Sequence, residues 1–317
     1  MAESRKAIFA ALGANCGIAV AKMAAFAFTG SSSMLAESIH SLADTGNQGL
    51  LLLGHRSARR AATREHPFGY GQHRFVNAFI VALVLFSVGG LFALFEGVQR
   101  VAGSLAHPQP LEHWGWAVGT LAVAAVLESL SFRTAISEAT GRRGNRSWAH
   151  YVHEAKDPEL IVVLFEDGGA LIGLGLALAG VLASVATGNN LWDGVATLAI
   201  GALLVVMAAV LGTETRSMLL GESAAPEALD AIEAAVVDVP GVESVIHLRT
   251  MHLGPEEILI GLKVAVLPTA SAAELAVTIN ALEARIRAAV PIACVIYIEP
   301  DIYVEPTPAA PSPGPAR

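Results

Sequence analysis

Six stretches of this chain are each apolar for about the length needed to cross a lipid bilayer, and nothing else in it constrains the fold as much. A helix rising about 1.5 Å per residue needs about 20 mostly apolar residues to cross the hydrocarbon core. Such stretches run over about residues 7–29, 33–54, 75–99, 114–132, 159–184 and 190–212. The composition agrees: 54% of the 317 residues are hydrophobic and only 15% are charged, with a mean hydropathy of +0.55. Soluble domains of this length rarely combine those values. The expected architecture is an all-α bundle of six transmembrane helices.

Positive charge sorts the connections between the spans. Arg5 and Lys6 precede the first. Arg56, Arg59, Arg60, Arg64 and Arg74 lie between the second and third, and Arg133, Arg142, Arg143, Arg146 and Lys156 between the fourth and fifth. The loops near residues 30 and 188 carry none, and Arg100 stands alone after the third. Cytoplasmic loops carry the excess of Lys and Arg, so both termini and the basic loops are expected in the cytoplasm. A net charge of −8 leaves no basic domain to neutralise phosphates, which argues against nucleic acid as a partner. Two cysteines, Cys16 and Cys294, make neither a disulfide framework nor a CxxC zinc site, and both read as core thiols. The first apolar run is too long for a signal-peptide core and lacks a small-residue cleavage site. It reads as a retained span, which points to a bacterial inner membrane.

The character changes near residue 218. PEALDAIEAAVVDV has helical periodicity, ESVIHLRTMHL and EILIGLKVAVL read as strands about a Leu-Gly-Pro turn, SAAELAVTINALEARIRAAV reads as a Ser-capped helix, and ACVIYIEP as a closing strand. This αββαβ order predicts a small α+β domain with its helices on one face of a sheet. The division is therefore 1–217 for the transmembrane domain, 218–305 for the second domain, and 306–317 for a Pro/Ala-rich disordered tail.

Titratable groups inside hydrocarbon cost at least about 2.5–3.5 kcal/mol each on insertion scales, so each invites a functional explanation. In the second span, Glu37, His40 and Asp44 follow one another at one-turn intervals, and Asn47 and Gln48 continue the stripe. Such a stripe should face a cavity or the bundle interior. Imidazole and carboxylate one turn apart make half of a tetrahedral zinc site; alternatively, the pair only bonds neighbouring helices. The fifth span sets Glu166 and Asp167 in an apolar run at about the same depth. They offer the other half, or else an interfacial pair reaching for water. Asn15, Lys22, Glu96 and Glu128 read as bundle hydrogen bonds or interfacial anchors, and Asp193 as a residue at the water boundary. His150 and His153 read as ordinary loop residues.

The string SSSMLAESIHSLADTGNQGLLLLG, the basic loop with HPFGYG at 66–71, the six-span plan and the αββαβ tail resemble the cation diffusion facilitator family. AESIHSLADTGNQGLLLLG, HPQP at 107–110 and KDPELIVVLFED at 156–167 are similar to its zinc-transporter-nine branch. The resemblance covers about residues 5–305. It implies a ferredoxin-like cytoplasmic domain that dimerises the protein. It also implies a membrane transport site with ligands at His40, Asp44 and Asp167. The family's remaining histidine falls on Val163, which cannot bind metal; Glu166, about 60° from that direction on the helix, is the candidate replacement. The partner of His66 in the loop site is Tyr70, and the family's C-terminal histidines fall on Ile246, Gly261 and Tyr297, with Glu299 and Asp301 left as isolated acids. Metal binding outside the membrane is accordingly expected to be weak or absent.

The expected function is export of a divalent metal cation, zinc first and manganese, iron or cobalt behind it, by alternating access coupled to protons in a homodimer. The metal is cargo, and no cofactor is implied. The competing reading is a non-transporting metal sensor or membrane scaffold with a degenerate site. An intramembrane metalloenzyme is disfavoured, since there is no HExxH and no nucleophile beside a base.

Overall fold

The computed structural model describes residues 2–58, 60–144, 147–148 and 158–302, with side chains from Cys16 onward except at 51, 52, 55, 85, 86, 142, 158, 159, 293 and 294. Arg59, Arg146, His150, His153, Lys156 and the tail 306–317 lie outside the described residues, as do the side chains of Arg5, Lys6, Asn15, Arg142 and Cys294. Two compact units emerge, Met1–Leu220 and Gly221–Arg317.

The first unit holds six helices: α1 Ala2–Thr29, α2 Ser32–Ala58, α3 His73–Ala106, α4 Trp114–Arg143, α5 Pro158–Thr187 and α6 Leu191–Gly221. Every sequence-predicted span lies within one of them, and most helices run past it by one or more turns. The chain reverses between α1 and α2 at Gly30, whose φ of +61° is a conformation glycine adopts without a Cβ clash. Large apolar side chains such as Leu83, Leu91, Phe95, Val123, Val126, Leu130 and Val206 are exposed on the helices' outer faces. Water would not tolerate so much contiguous apolar surface, and lipid does. Helices α3, α4, α5 and α6 are each apolar enough to be read as spans on their own. Helix α2 is not, because Glu37, His40, Asp44, Asn47 and Gln48 dilute it. Helix α1 contributes a shorter apolar segment, Cys16–Thr29. Cys16 itself is exposed, so the expectation of a core thiol fails there; it lies on the face of α1 turned away from its neighbours.

Helices α3 and α6 touch backbone to backbone along a seam of glycines. A Cβ on Gly97 would lie 2.8 Å from the amide nitrogen of Leu198, and one on Gly201 would lie 2.8 Å from that of Leu94. Gly90 and Gly194 make similar approaches to Val205 and Val101. Without a hydrophobic drive between helices in lipid, this close van der Waals contact is what holds such a pair together.

The second unit comprises α7 Pro226–Val236, β1 Val242–Gly254, β2 Glu257–Val266, α8 Ala272–Ala289 and β3 Ala293–Asp301. The sheet order is β1-β2-β3, with β1 antiparallel to β2 and β3 parallel to it. Ile258, Ile260, Leu262 and Val264 alternate inward from β2 and pack with Ile232 and Val236 of α7 and Leu282 and Ile286 of α8. Each such side chain contributes about 1.5–3 kcal/mol when fully buried. Ser271 caps α8, as the sequence predicted, and does so in a capping box with Glu274.

The seam yields a paired test. Gly201→Ala should destabilise the bundle by about 1–3 kcal/mol through overpacking. Gly119→Ala, in a helical position with nothing within 4 Å, should be neutral or gain about 0.5–1 kcal/mol. Thermal unfolding in detergent reads both; equal midpoints for the two variants would refute the close contact.

Candidate functional site

The polar stripe of α2 is enclosed. Glu37, His40, Ser41 and Asn47 are buried, and Asp44 is nearly so. The stripe divides into parts that the protein treats differently. At its N-terminal part, Lys22 of α1 reaches across and donates to Glu37 Oε2 at 3.0 Å and to Ser41 Oγ at 2.7 Å. Neither Lys22 nor Glu37 has any exposed side-chain surface. Gly173 of α5 makes room for the carboxylate: a Cβ there would fall 2.4 Å from Glu37 Oε1. Lys22 is thus an ion-pair partner at full burial, more committed than the anchoring role the sequence suggested.

Further along α2, His40 Nδ1 stands 3.6 Å from Asp44 Oδ1, close for an ion pair and too far for a hydrogen bond. His40 Nε2, Asp44 Oδ1 and both polar atoms of Asn47 are buried with no hydrogen-bond partner. Asp44 lines a cavity with Ile18 and Glu128, and with Ser41 and Gln48 of its own helix. Glu166 and Asp167 close the cavity from α5. The two α5 carboxylates differ in setting. Ser131 of α4 donates to Asp167 Oδ2 at 2.7 Å, whereas Glu166 is buried and its Oε1 has no partner. The cavity is small, about 10 Å³ for the centre of a water-sized sphere. That is room for one ion or one water, not an organic substrate.

Of the four site residues expected from sequence, three therefore share one cavity. His40 is absent from its lining and adjoins it through Asp44. Val163 is absent from the lining as well. Among the described residues, no three His, Cys, Asp or Glu side chains stand close enough to hold a metal ion as they are placed. Glu128 was missed as one of the carboxylates lining the cavity. Its signal was present: it is an acid in the apolar middle of α4, and the rule that drew attention to α2 applies to it equally.

Asp193, expected at the water boundary, is fully buried. Its Oδ1 accepts from the hydroxyls of Ser31 at 2.6 Å and Ser33 at 2.5 Å. Its Oδ2 accepts from the Ser32 amide at 2.7 Å and the Ser32 hydroxyl at 3.1 Å. Arg100 of α3 lies 4.0 Å away and also donates to the Gly30 carbonyl. The SSS run ahead of the polar stripe is thus a carboxylate cradle joining the ends of α2, α3 and α6.

In the second unit, Glu299 and Asp301 are not isolated. Lys263 lies 2.9 Å from Glu299 Oε1 and 2.8 Å from Asp301 Oδ2. The hydrogen bond from Lys263 holds the Asp301 carboxyl below its usual range, and the two acids, Asp301 first, raise the lysine. In the loop ahead of α3, the His66 and Tyr70 rings lie 4.6 Å apart.

Two predictions follow from these pairs. Lys22→Met leaves Glu37 buried without its counter-charge and should cost about 3–5 kcal/mol, most of it recovered in the double variant with Glu37→Gln. Unfolding in detergent measures this, and a neutral single variant would refute the enclosed pair. For Asp301, a folded pKa below the ordinary one means a stabilising contribution that is present above the usual carboxylate range and is lost as pH falls through the folded value. For Lys263 the contribution is present below the usual lysine range and lost as pH rises through its raised value. Lys263→Met should therefore return the Asp301 midpoint upward in an NMR titration and shrink the acid-dependent part of stability.

Comparison with known proteins brings these features together. Residues 8–220 match the cation efflux transmembrane domain, and residues 224–301 match the cation efflux protein cytoplasmic domain. The human proton-coupled zinc antiporter SLC30A9, mitochondrial, is 34% identical over 244 residues, which are 76% of this chain and 42% of that protein. The chain thus matches well under half the length of that relative. The magnetosome protein MamB of Paramagnetospirillum magneticum is 26% identical over 284 residues, 89% of this chain and 87% of that one. Among solved structures, a nickel form of the MamM CTD is similar at 22% identity with a TM-score of 0.23, covering 24% of this chain and 96% of that one.

Proposed function

The chain belongs to the cation efflux family, whose members are transporters and not enzymes, and on that premise we propose that it exports a divalent metal cation, zinc first, in exchange for protons. One observation carries the reading: a single-ion cavity inside the helical bundle, lined by carboxylates from three helices, with the buried Glu166 Oε1 and Asp44 Oδ1 lacking partners. In a low-dielectric bundle such a group of acids is stable only if protons or a cation neutralise it. The proposed cargo ligands are His40, Asp44, Asp167 and Glu166.

Exchange follows from the ligand chemistry. Imidazole and carboxylate bind metal only when deprotonated, so metal entering from the cytoplasm releases protons, and protons from the far side displace it. An alternating-access cycle then needs the cavity to open to one side at a time, closing on the ion in between. The excess of Lys and Arg in the loops after α2 and α4 favours a cytoplasmic placement of those loops, and of both termini with them. The second domain is assigned to homodimerisation. Lys263 is already paired with both Glu299 and Asp301, which favours a structural over a metal-sensing role for that domain.

A second reading, a sensor or scaffold that binds metal without turnover, draws on Val163 in place of a histidine and on the absence of three convergent donors among the described residues. Proteoliposomes with an imposed pH gradient separate the two. Zinc flux should follow the proton gradient and fall to less than about a tenth in Asp44→Ala and in Asp167→Ala, in line with the affinity lost when a metal site is disrupted. Folded protein that binds zinc but carries no flux of zinc, manganese or iron would favour the sensor.

A further inference from the structure

Resting on the metal-transport reading, we propose that Glu128 of α4 is a cargo-binding carboxylate, and that its oxygen admits manganese(II) to the site alongside zinc. The acids that α2 and α5 bring to the cavity itself are Asp44, Glu166 and Asp167, since neither His40 nor Val163 is part of its lining. Glu128 does face it, together with Asp44, Glu166 and Asp167. Its side chain is 9% exposed, and no hydrogen bond or ion pair ties it to another described residue. A helix-bundle hydrogen bond, the ordinary reason for an acid in such a place, is therefore not what holds it. Three turns of α4 surround it with Ala124, Ala125, Val126, Leu127 and Leu130, so nothing on its own helix compensates the charge apart from neighbouring serines. One of those, Ser131, is engaged with Asp167.

A cluster of acids is not in itself a binding site. The added observation is Glu166, 5% exposed, lining the same cavity with Oε1 unpartnered. A buried acceptor in that state, facing an ion-sized space, calls for a cation or a proton donor. The cation Lys22 is already committed to Glu37 and Ser41, so the compensating charge comes from bound protons or from the cargo that displaces them.

The donor set then defines the class of cargo. Four carboxylates around the cavity, with a single imidazole beside it, form an oxygen-dominated shell. Imidazole and thiolate favour zinc, whereas carboxylate oxygen suits manganese(II) and other hard divalent ions. Removing one of the oxygens should cost manganese more than zinc, because zinc retains four-coordinate options that include His40.

The experiment uses the full chain in nanodiscs, with Mn²⁺ binding followed by the electron paramagnetic resonance signal of the free ion and Zn²⁺ binding by equilibrium dialysis. Flux of each metal is measured in proteoliposomes. Glu128→Gln should weaken Mn²⁺ by about tenfold or more and Zn²⁺ by distinctly less, while Glu128→Asp keeps both. Equal losses for the two metals would assign Glu128 a structural role, and no loss for either would remove it from the site; both outcomes overturn the proposal. Should Glu128→Gln prove unstable on size-exclusion chromatography, Glu128→His decides. It should shift the ratio of Mn²⁺ to Zn²⁺ affinity further towards Zn²⁺, and an unchanged ratio overturns the proposal. Wild-type protein that carries both metals while Glu128→Gln matches it sinks this inference alone. Wild-type protein that neither binds nor carries either metal sinks the transport reading as well.

Discussion

The contact between Lys22 and Glu37, closed off from solvent and lipid on every side, is the interaction on which the bundle's interior depends. It solves the problem that α2 creates by carrying acids through an apolar layer. An unpaired charge there is driven to neutralise or to recruit water, and either would loosen the packing of α1, α2 and α5 that encloses it. With the ammonium in place, one acid of the stripe becomes structural. The others are free to serve something else.

The molecule handles its buried acids in three ways. Glu37 has a fixed cation. Asp193 has four hydrogen bonds to its carboxylate from three consecutive serines, which spread its charge over dipoles. Asp44, Glu128, Glu166 and Asp167 have neither in full; among the described residues, Ser131 donates to Asp167. The contrast gives the cavity its meaning. A protein able to neutralise Glu37 and cradle Asp193 has left four carboxylates around an ion-sized space with almost no internal compensation.

Much of this was legible in the sequence, and the boundary is physical. Helices, the polar stripe of α2, the Ser271 cap and the αββαβ succession of elements are set by neighbours within a few residues, so periodicity and spacing revealed them. The pairing of Glu166 with Asp167 was legible for the same reason. What escaped depended on contacts between helices far apart in the chain. Lys22 looked like an anchor until α1 was laid against α2. Asp193 looked exposed because it begins a helix, and nothing in its surroundings announces the three serines 160 or more residues away. Glu128 carried the same intramembrane signal as Glu37, but its membership of the cavity depends on how α4 turns towards α2 and α5. Cys16 erred the other way: in lipid, an apolar position implies neither inside nor outside, since both surroundings are apolar.

The serine cradle has a mechanical consequence. It pins the N-terminal end of α2, through Ser31, Ser32 and Ser33, to α6 at Asp193, with Arg100 of α3 alongside. Asp44 lies twelve residues along α2 from Ser32, a lever arm of about 18 Å at the helical rise. A tilt of about 10° about the pinned end would carry Asp44 sideways by about 3 Å, roughly two residues' worth of that rise. That travel is comparable to the distance between a metal ion bound by a carboxylate and one released from it. Small rotations at a fulcrum that never lets go are thus enough to make and break a coordination shell at the far end of the arm.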